Sequence, residues 1–223
     1  MHRSNRILRV VALAAGLMLT AAARADVTIL ASSTFDNDAE GWTTLNDARN
    51  FAWTASGGNP GGSIGAADMG TGETWYYVAP AKFLGDQSAA FGGTLSYEIR
   101  QAVTSSPFAN SDVLLVGGGL TLSYEFDTNP GTAWTPYAVD LVPSAGWRVG
   151  SRTGPEAEAA DFQTVLADLD ALYIRGEYRN GASNDNSRLD NVFLAAAPVP
   201  EPETIALLAA GLGLVGLRLR RRA

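Results

Sequence analysis

Leu95-Ser96-Tyr97-Glu98-Ile99-Arg100 alternates apolar and polar side chains without interruption. Leu95, Tyr97 and Ile99 fall on one side of an extended chain and Ser96, Glu98 and Arg100 on the other, the period of a strand with one face in a core and one in water. The pattern returns at Leu120, Leu122, Tyr124 and Phe126 against Thr121, Ser123 and Glu125. It returns again at Tyr137, Val139 and Leu141, and at Leu172 and Ile174. Val113 to Val116 is a continuous apolar run, as expected of a central strand. Turn-forming residues separate these stretches: Gly57-Gly58-Asn59-Pro60-Gly61-Gly62, Gly117-Gly118-Gly119, Asp127-Thr128-Asn129-Pro130-Gly131 and residues 180–186. One segment has a different period. Phe162, Val165, Leu166, Leu169 and Leu172 or Tyr173 recur at helical spacing, with Pro155, Glu156 and Glu158 near the start, where proline and negative charge suit a helix N-terminus. The expectation is an all-β chain, a sandwich of nine or ten short antiparallel strands with one amphipathic helix.

Both ends read as addresses. Arg3, Arg6 and Arg9 precede an apolar stretch from Val10 to Ala22, and Ala23-Arg24-Ala25 offers small residues where signal peptidase reads them. Residues 1–25 are therefore expected to be a secretory signal peptide, cut between Ala25 and Asp26. At the other end, residues 197–223 hold a short linker, then Val199-Pro200-Glu201-Pro202, an apolar run from Ile205 to Leu217, and the cluster Arg218, Arg220, Arg221 and Arg222. An arginine cluster after an apolar run marks the cytoplasmic flank, which leaves the middle domain facing outward.

The chain has 223 residues, no cysteine and one histidine, His2, inside the leader. Between the two addresses, residues 26–196 keep eight basic residues against 21 acidic ones, a net charge of −13. Such a domain repels phosphate backbones, so no nucleic-acid partner is expected. Without histidine or cysteine it can form neither a Ser-His-Asp or Cys-His active site nor a zinc site of the usual ligands. The glycine clusters lack the Lys-Ser/Thr and the strand-to-helix context of a phosphate loop. Glu98, Asp112, Glu125, Asp140 and Glu177 remain as carboxylates for glycoside chemistry. Nothing in their spacing brings two of them to the separation of about 5–9 Å that chemistry needs, so no enzymatic activity is expected.

The tail resembles the PEP-CTERM sorting signal of Gram-negative bacteria, with its Pro-Glu-Pro core at Pro200, Glu201 and Pro202 set before an apolar helix and terminal arginines. That resemblance implies recognition by an exosortase, an inner-membrane-anchored precursor touching the bilayer through its C-terminal helix, and a product at the cell surface or secreted among exopolysaccharide. The middle domain resembles the laminin B domain (laminin domain IV type A). The resemblance is carried by Phe35 with Gly41-Trp42, Gly58-Asn59-Pro60-Gly61-Gly62, Trp75-Tyr76-Tyr77 with Ala79-Pro80 and Phe83-Leu84-Gly85-Asp86. It continues through Phe91-Gly92-Gly93-Thr94-Leu95, Val113-Leu114-Leu115, Leu172-Tyr173-Ile174-Arg175 and Leu189-Asp190-Asn191-Val192. It implies a jelly-roll, galactose-binding-like β-sandwich that serves as a binding module. The cysteine-rich repeats that flank this domain in animal laminins are absent, so no basement-membrane role carries over.

Two sites are expected on that fold. Trp75, Tyr77 and Trp134 lie beside loops, and such rings offer flat apolar faces on which a pyranose can pack, so they are the candidate carbohydrate platform. Trp42 and Trp147 read as core, and core packing is also the alternative for the platform residues. Asp36, Asp38 and Glu40 at positions 1, 3 and 5, Gly41 at 6 and Asp47 at 12 imitate the spacing of a calcium loop. Related jelly rolls set a structural calcium between an N-terminal loop and the last strand, which adds Asp190; no other cofactor is expected. The functional expectation is an exported, non-catalytic adhesion module associated with exopolysaccharide or surface glycans, the alternatives being a passive surface protein and a glycoside-active enzyme.

Overall fold

The computed structural model describes residues 27–181 and 185–198. The expected cleavage point at Ala25 and Asp26 and the motif residues Val199, Pro200, Glu201 and Pro202 lie outside the described residues, as does the apolar run 205–217. Among the described residues no helix is long and apolar enough to cross a membrane.

Among the described residues, twelve strands and one α-helix follow one another: β1 (Ile29–Ser33), β2 (Thr43–Leu45), β3 (Ala48–Thr54), β4 (Ser63–Asp68), β5 (Tyr76–Val78), β6 (Thr94–Gln101), β7 (Val113–Gly117), β8 (Leu120–Tyr124), β9 (Thr135–Asp140), β10 (Arg148–Val149), α1 (Ala159–Ala167), β11 (Leu169–Arg175) and β12 (Asn186–Ala195). They build two six-stranded sheets. The first runs β3-β4-β12-β6-β9 with β1 also paired to β12; the second runs β10-β8-β7-β11-β5-β2. Every named pairing is antiparallel. The all-β sandwich read from the alternation, and the jelly roll that the laminin B resemblance implies, are the fold of the described residues.

The alternation at β6 translates directly into packing. Leu95, Tyr97, Ile99 and Gln101 are buried, while Thr94, Ser96, Glu98 and Arg100 are half-buried on the outer face. From the facing sheet come Val113, Leu115, Leu172 and Ile174, all buried. Trp42, Trp75, Trp147, Phe35, Phe83 and Phe162 fill the remaining interior. Fully burying a side chain of that size contributes about 1.5–3 kcal/mol each, so the aromatic content reflects what an interior between two sheets needs.

The helix is shorter than its stripe. Phe162, Val165 and Leu166 are its buried residues, and it stops at Ala167. Leu169 already pairs with Gly117 in β11, so Leu169, Leu172 and Tyr173 belong to a strand. The strand count also exceeds the expected nine or ten, because β2, β5 and β10 have three, three and two residues and are too short to display a period.

Candidate binding face and acidic centre

On the outer face of the first sheet the register brings one row of residues together. Arg100 of β6 stands opposite Arg188 of β12, Arg188 stands opposite Gly65 of β4, and Gly65 stands opposite Ala52 of β3. A shallow groove runs over Ala52, Gly65 and Ala67, walled by Asn50, Asn186 and Arg188. A side chain at Gly65 would close it, since a Cβ there would lie 3.3 Å from Arg188 Cγ. Arg100 continues the row toward Trp134, with its guanidinium 5.2 Å from the ring centre. Trp134 is half-buried just before β9, so part of its ring surface is open.

The two arginines have little to hold them. Arg188 donates from Nε to Ser63 Oγ at 3.0 Å and from its terminal nitrogen to Thr54 Oγ1. Burial, and then the charge of Arg100, pull Arg188 below the ordinary arginine range. Arg100 Nε is buried without a hydrogen-bond partner. Neither arginine takes part in an ion pair among the described residues. Like charges directly opposite on paired strands are destabilising, and the pair stands in a domain that is otherwise acidic.

The expected carbohydrate platform is corrected in two of its three members. Trp75 and Tyr77 are both 0% exposed and pack edge to face at 5.0 Å. Tyr77 Oη donates to the Ser187 carbonyl at 2.8 Å, and a Cβ on Gly176 would lie 2.0 Å from the Trp75 ring. They are interior residues because β5 runs between β11 and β2 and presents them to the opposite sheet. No sugar can stack on either. Trp134 alone keeps an open face.

The expected calcium triad is corrected as well, because its members do not converge. Asp36 and Asp38 are exposed. Asp38 accepts from the Glu40 backbone N–H at 2.6 Å, and Asp36 accepts from Thr34 Oγ1 at 2.8 Å. Asp190 is 0% exposed and accepts backbone N–H groups at both oxygens, from Asn59 at 2.6 Å and Asn191 at 2.7 Å. The loop 57–62 lies between the two sides, packed so closely that a Cβ on Gly61 would meet Asp36 and one on Gly58 would meet Asp190. Burial first of all pushes the Asp190 carboxyl up to about 6.

A different carboxylate group does converge. Asp47, Asp68 and Glu177 bring ligand oxygens within 4.8 Å of one another, and all three are buried. Burial, reinforced by the charges of Asp68, Asp47 and Asp185, pushes the Glu177 carboxyl up to about 7. Burial and the charge of Asp68 raise Asp185 to about 6. Sequence reading set Asp47 in the calcium-like loop and Glu177 among the glycoside carboxylates but did not join them with Asp68, because the three are 21 and 109 positions apart and share no motif.

A second buried ionic feature braces the opposite sheet. Arg175 lies between the rings of Phe108 and Tyr178, at 4.4 and 4.5 Å from their centres. It pairs with Asp112 at 3.4 Å and donates to the carbonyls of Glu177 and Phe108. Of the carboxylates considered for glycoside chemistry, Asp112 is thus a buried partner of Arg175. Glu98 accepts from Asn59 and Asn191, Asp140 from Thr94, and Glu125 pairs with Arg152.

A two-sheet antiparallel jelly roll with loop-borne carboxylates and a polar outer face defines a class of β-sandwich module. The chain belongs to the Laminin B (Domain IV) family, whose profile matches residues 76–209. The PEP-CTERM protein-sorting motif matches residues 198–222, which marks an exported protein. Laminin subunit gamma-1 of Xenopus tropicalis is 25% identical over 196 residues, covering 82% of this chain and 11% of that protein. Laminin subunit alpha-1 of Mus musculus is 35% identical over 134 residues, covering 56% of this chain and 4% of that protein. The chain therefore spans about a tenth or less of the length of these relatives. Among solved structures, the L4b domain of human laminin alpha-2 is similar with a TM-score of 0.52 at 22% identity, covering 60% of this chain and 80% of that one. An exo-beta-agarase is similar with a TM-score of 0.50 at 12% identity, covering 78% of this chain and 25% of that one. Both likenesses are of fold.

Proposed function

We propose that the domain is a non-catalytic adhesion module, processed by signal peptidase and an exosortase from an inner-membrane precursor and held at the cell surface by binding acidic polysaccharide. The observation that carries this reading is the Arg100–Arg188 pair beside the half-open ring of Trp134, on a sheet face with a small-residue groove. Two adjacent guanidiniums without carboxylate partners suit the carboxylate or sulfate groups of a charged glycan. An aromatic face at the end of the row suits the apolar side of a sugar ring. The net charge of −13 on residues 26–196 repels a polyanion over most of the surface, so contact is confined to this face, where the local charge is positive.

The test is co-sedimentation of the purified chain with polyuronate, sulfated and neutral polysaccharides. Arg100→Ala and Trp134→Ala should each weaken retention on the acidic polymers about tenfold, the effect of losing one charge-assisted contact. Retention should also fall as salt rises. Equal retention of both variants would remove the face from the binding reaction. No retention of the unaltered chain on any polymer would favour the passive surface protein instead.

A further inference from the structure

We propose that Asp47, Asp68 and Glu177 form a site for a hard divalent cation such as calcium, which ties the entry to β3, the exit from β4 and the segment after β11 into one end of the sandwich. Three carboxylates, 4%, 2% and 8% exposed, converge with oxygens within 4.8 Å of one another. Buried carboxylates at such distances need either a proton, a basic partner or a metal. No ion pair among the described residues reaches any of the three. Arg49, the basic residue nearest Asp47 in sequence, donates to the Asp68 carbonyl rather than to a carboxylate.

The hydrogen bonds divide the oxygens into anchored and open ones. Asp47 Oδ2 accepts from Thr71 N at 2.9 Å, Thr71 Oγ1 at 3.0 Å and Gly72 N at 3.0 Å. Asp68 Oδ1 accepts from Gly70 N at 2.7 Å, and Glu177 Oε2 from Trp75 N at 3.2 Å. Asp47 Oδ1 is buried with no partner at all, and so is Oδ2 of the neighbouring Asp185. Outer contacts that orient a carboxylate while leaving one oxygen open are the usual surroundings of a metal ligand. A buried acceptor left open in this way calls for a metal or for a proton shared within the cluster.

The donor set selects the ion. All oxygens are hard and anionic, with no nitrogen or sulfur, which favours calcium or magnesium over zinc or copper. Oxygens across a calcium ion lie about 4.6–5.2 Å apart, twice its usual bond length, whereas those across magnesium lie about 4.0–4.2 Å apart. The three oxygens lie within 4.8 Å of one another, a limit that accommodates either ion. The site is separate from the Arg100–Trp134 face and from Asp190, and does not depend on the proposed glycan.

The deciding experiment is calorimetric titration of calcium and magnesium chloride into the full chain after chelator treatment, with thermal unfolding followed by circular dichroism. One calcium per chain is expected, with a Kd on the order of 10⁻⁴ M or tighter, in the range of extracellular modules, and a higher Tm in calcium. Asp47→Asn should weaken calcium binding at least about tenfold and leave the metal-free Tm equal or higher, because it removes a repelling charge. Glu177→Gln provides the same reading if the first variant does not fold. Asp190→Asn should bind calcium as the unaltered chain does. No calcium heat, undiminished binding in both cluster variants, or loss of binding only in Asp190→Asn would each overturn the site.

Discussion

Trp75 and Trp134 look alike in the sequence, each next to loop residues, yet one is sealed inside and the other half-open. Nothing local separates them. Trp75 precedes β5, whose neighbours on both sides cover it, whereas Trp134 precedes β9 at the edge of the first sheet. Trp75→Ala should therefore destabilise the fold by about 3–5 kcal/mol, as for other buried tryptophans, which chemical denaturation would measure. Any loss of polysaccharide retention in that variant should follow the loss of folded protein. A variant that stays stable but loses binding would return Trp75 to the site. Arg175 makes the same point for charge. At the end of an alternating strand it reads as a solvated cation, but Phe108, Tyr178 and Asp112 enclose it completely. Tyr178 is three positions on, but Phe108 and Asp112 are 67 and 63 positions away, so no spacing announces the enclosure.

At the scale of elements, period was legible where a strand ran five residues or more with one wet face, as in β6 and β9. It failed where the chemistry of one residue broke the pattern. In β8, Ser123 is buried beside Leu122 because its hydroxyl meets Ser111 at 2.6 Å, so strict alternation there is lost. In β12 the register shifts between Asp190 and Phe193, and Asn191 takes a left-handed backbone with φ of 51°, a conformation asparagine tolerates better than most. The ten-residue strand thus shows no continuous period, although the Leu-Asp-Asn-Val piece marks its middle. The helix was legible through Phe162, Val165 and Leu166, and its start through the acids. Glu158 and Asp161 form a reciprocal capping box, with Glu158 N–H donating to Asp161 Oδ2 at 2.8 Å. Asp161→Ala should cost about 1 kcal/mol, seen as a lower denaturation midpoint with an unchanged slope. An unaltered midpoint would mean the packed face alone holds the helix.

At the scale of the whole molecule, acidity sets the pH response. Burial holds Asp112 at about 6 and Asp190 at about 6, both above the usual carboxylate range. A raised folded-state value means that the native chain binds more protons than the unfolded one between roughly pH 4 and pH 6. Stability contributed by these groups is present below that window and declines as pH rises through it. Self-repulsion of the net −13 charge grows in the same direction. In chelator, the Tm should therefore be higher near pH 5 than near pH 7.5, and a scan rising toward neutral pH would contradict the assignment. The Arg175–Asp112 contact does not reverse the sign, because the cost of burying the carboxylate outweighs it.

Alternation, turn chemistry and composition were enough to determine a two-sheet β-sandwich and an acidic middle domain, net −13, that holds neither histidine nor cysteine. These follow from residue type and near-neighbour spacing, which act along the chain. The burial of Trp75 and Tyr77, the separation of Asp36 and Asp38 from Asp190, the pairing of Arg100 with Arg188 and the convergence of Asp47, Asp68 and Glu177 were decided by tertiary structure alone. Each depends on strand order and register, which place residues up to 130 positions apart at contact distance, and no local pattern encodes which strand becomes the neighbour of which.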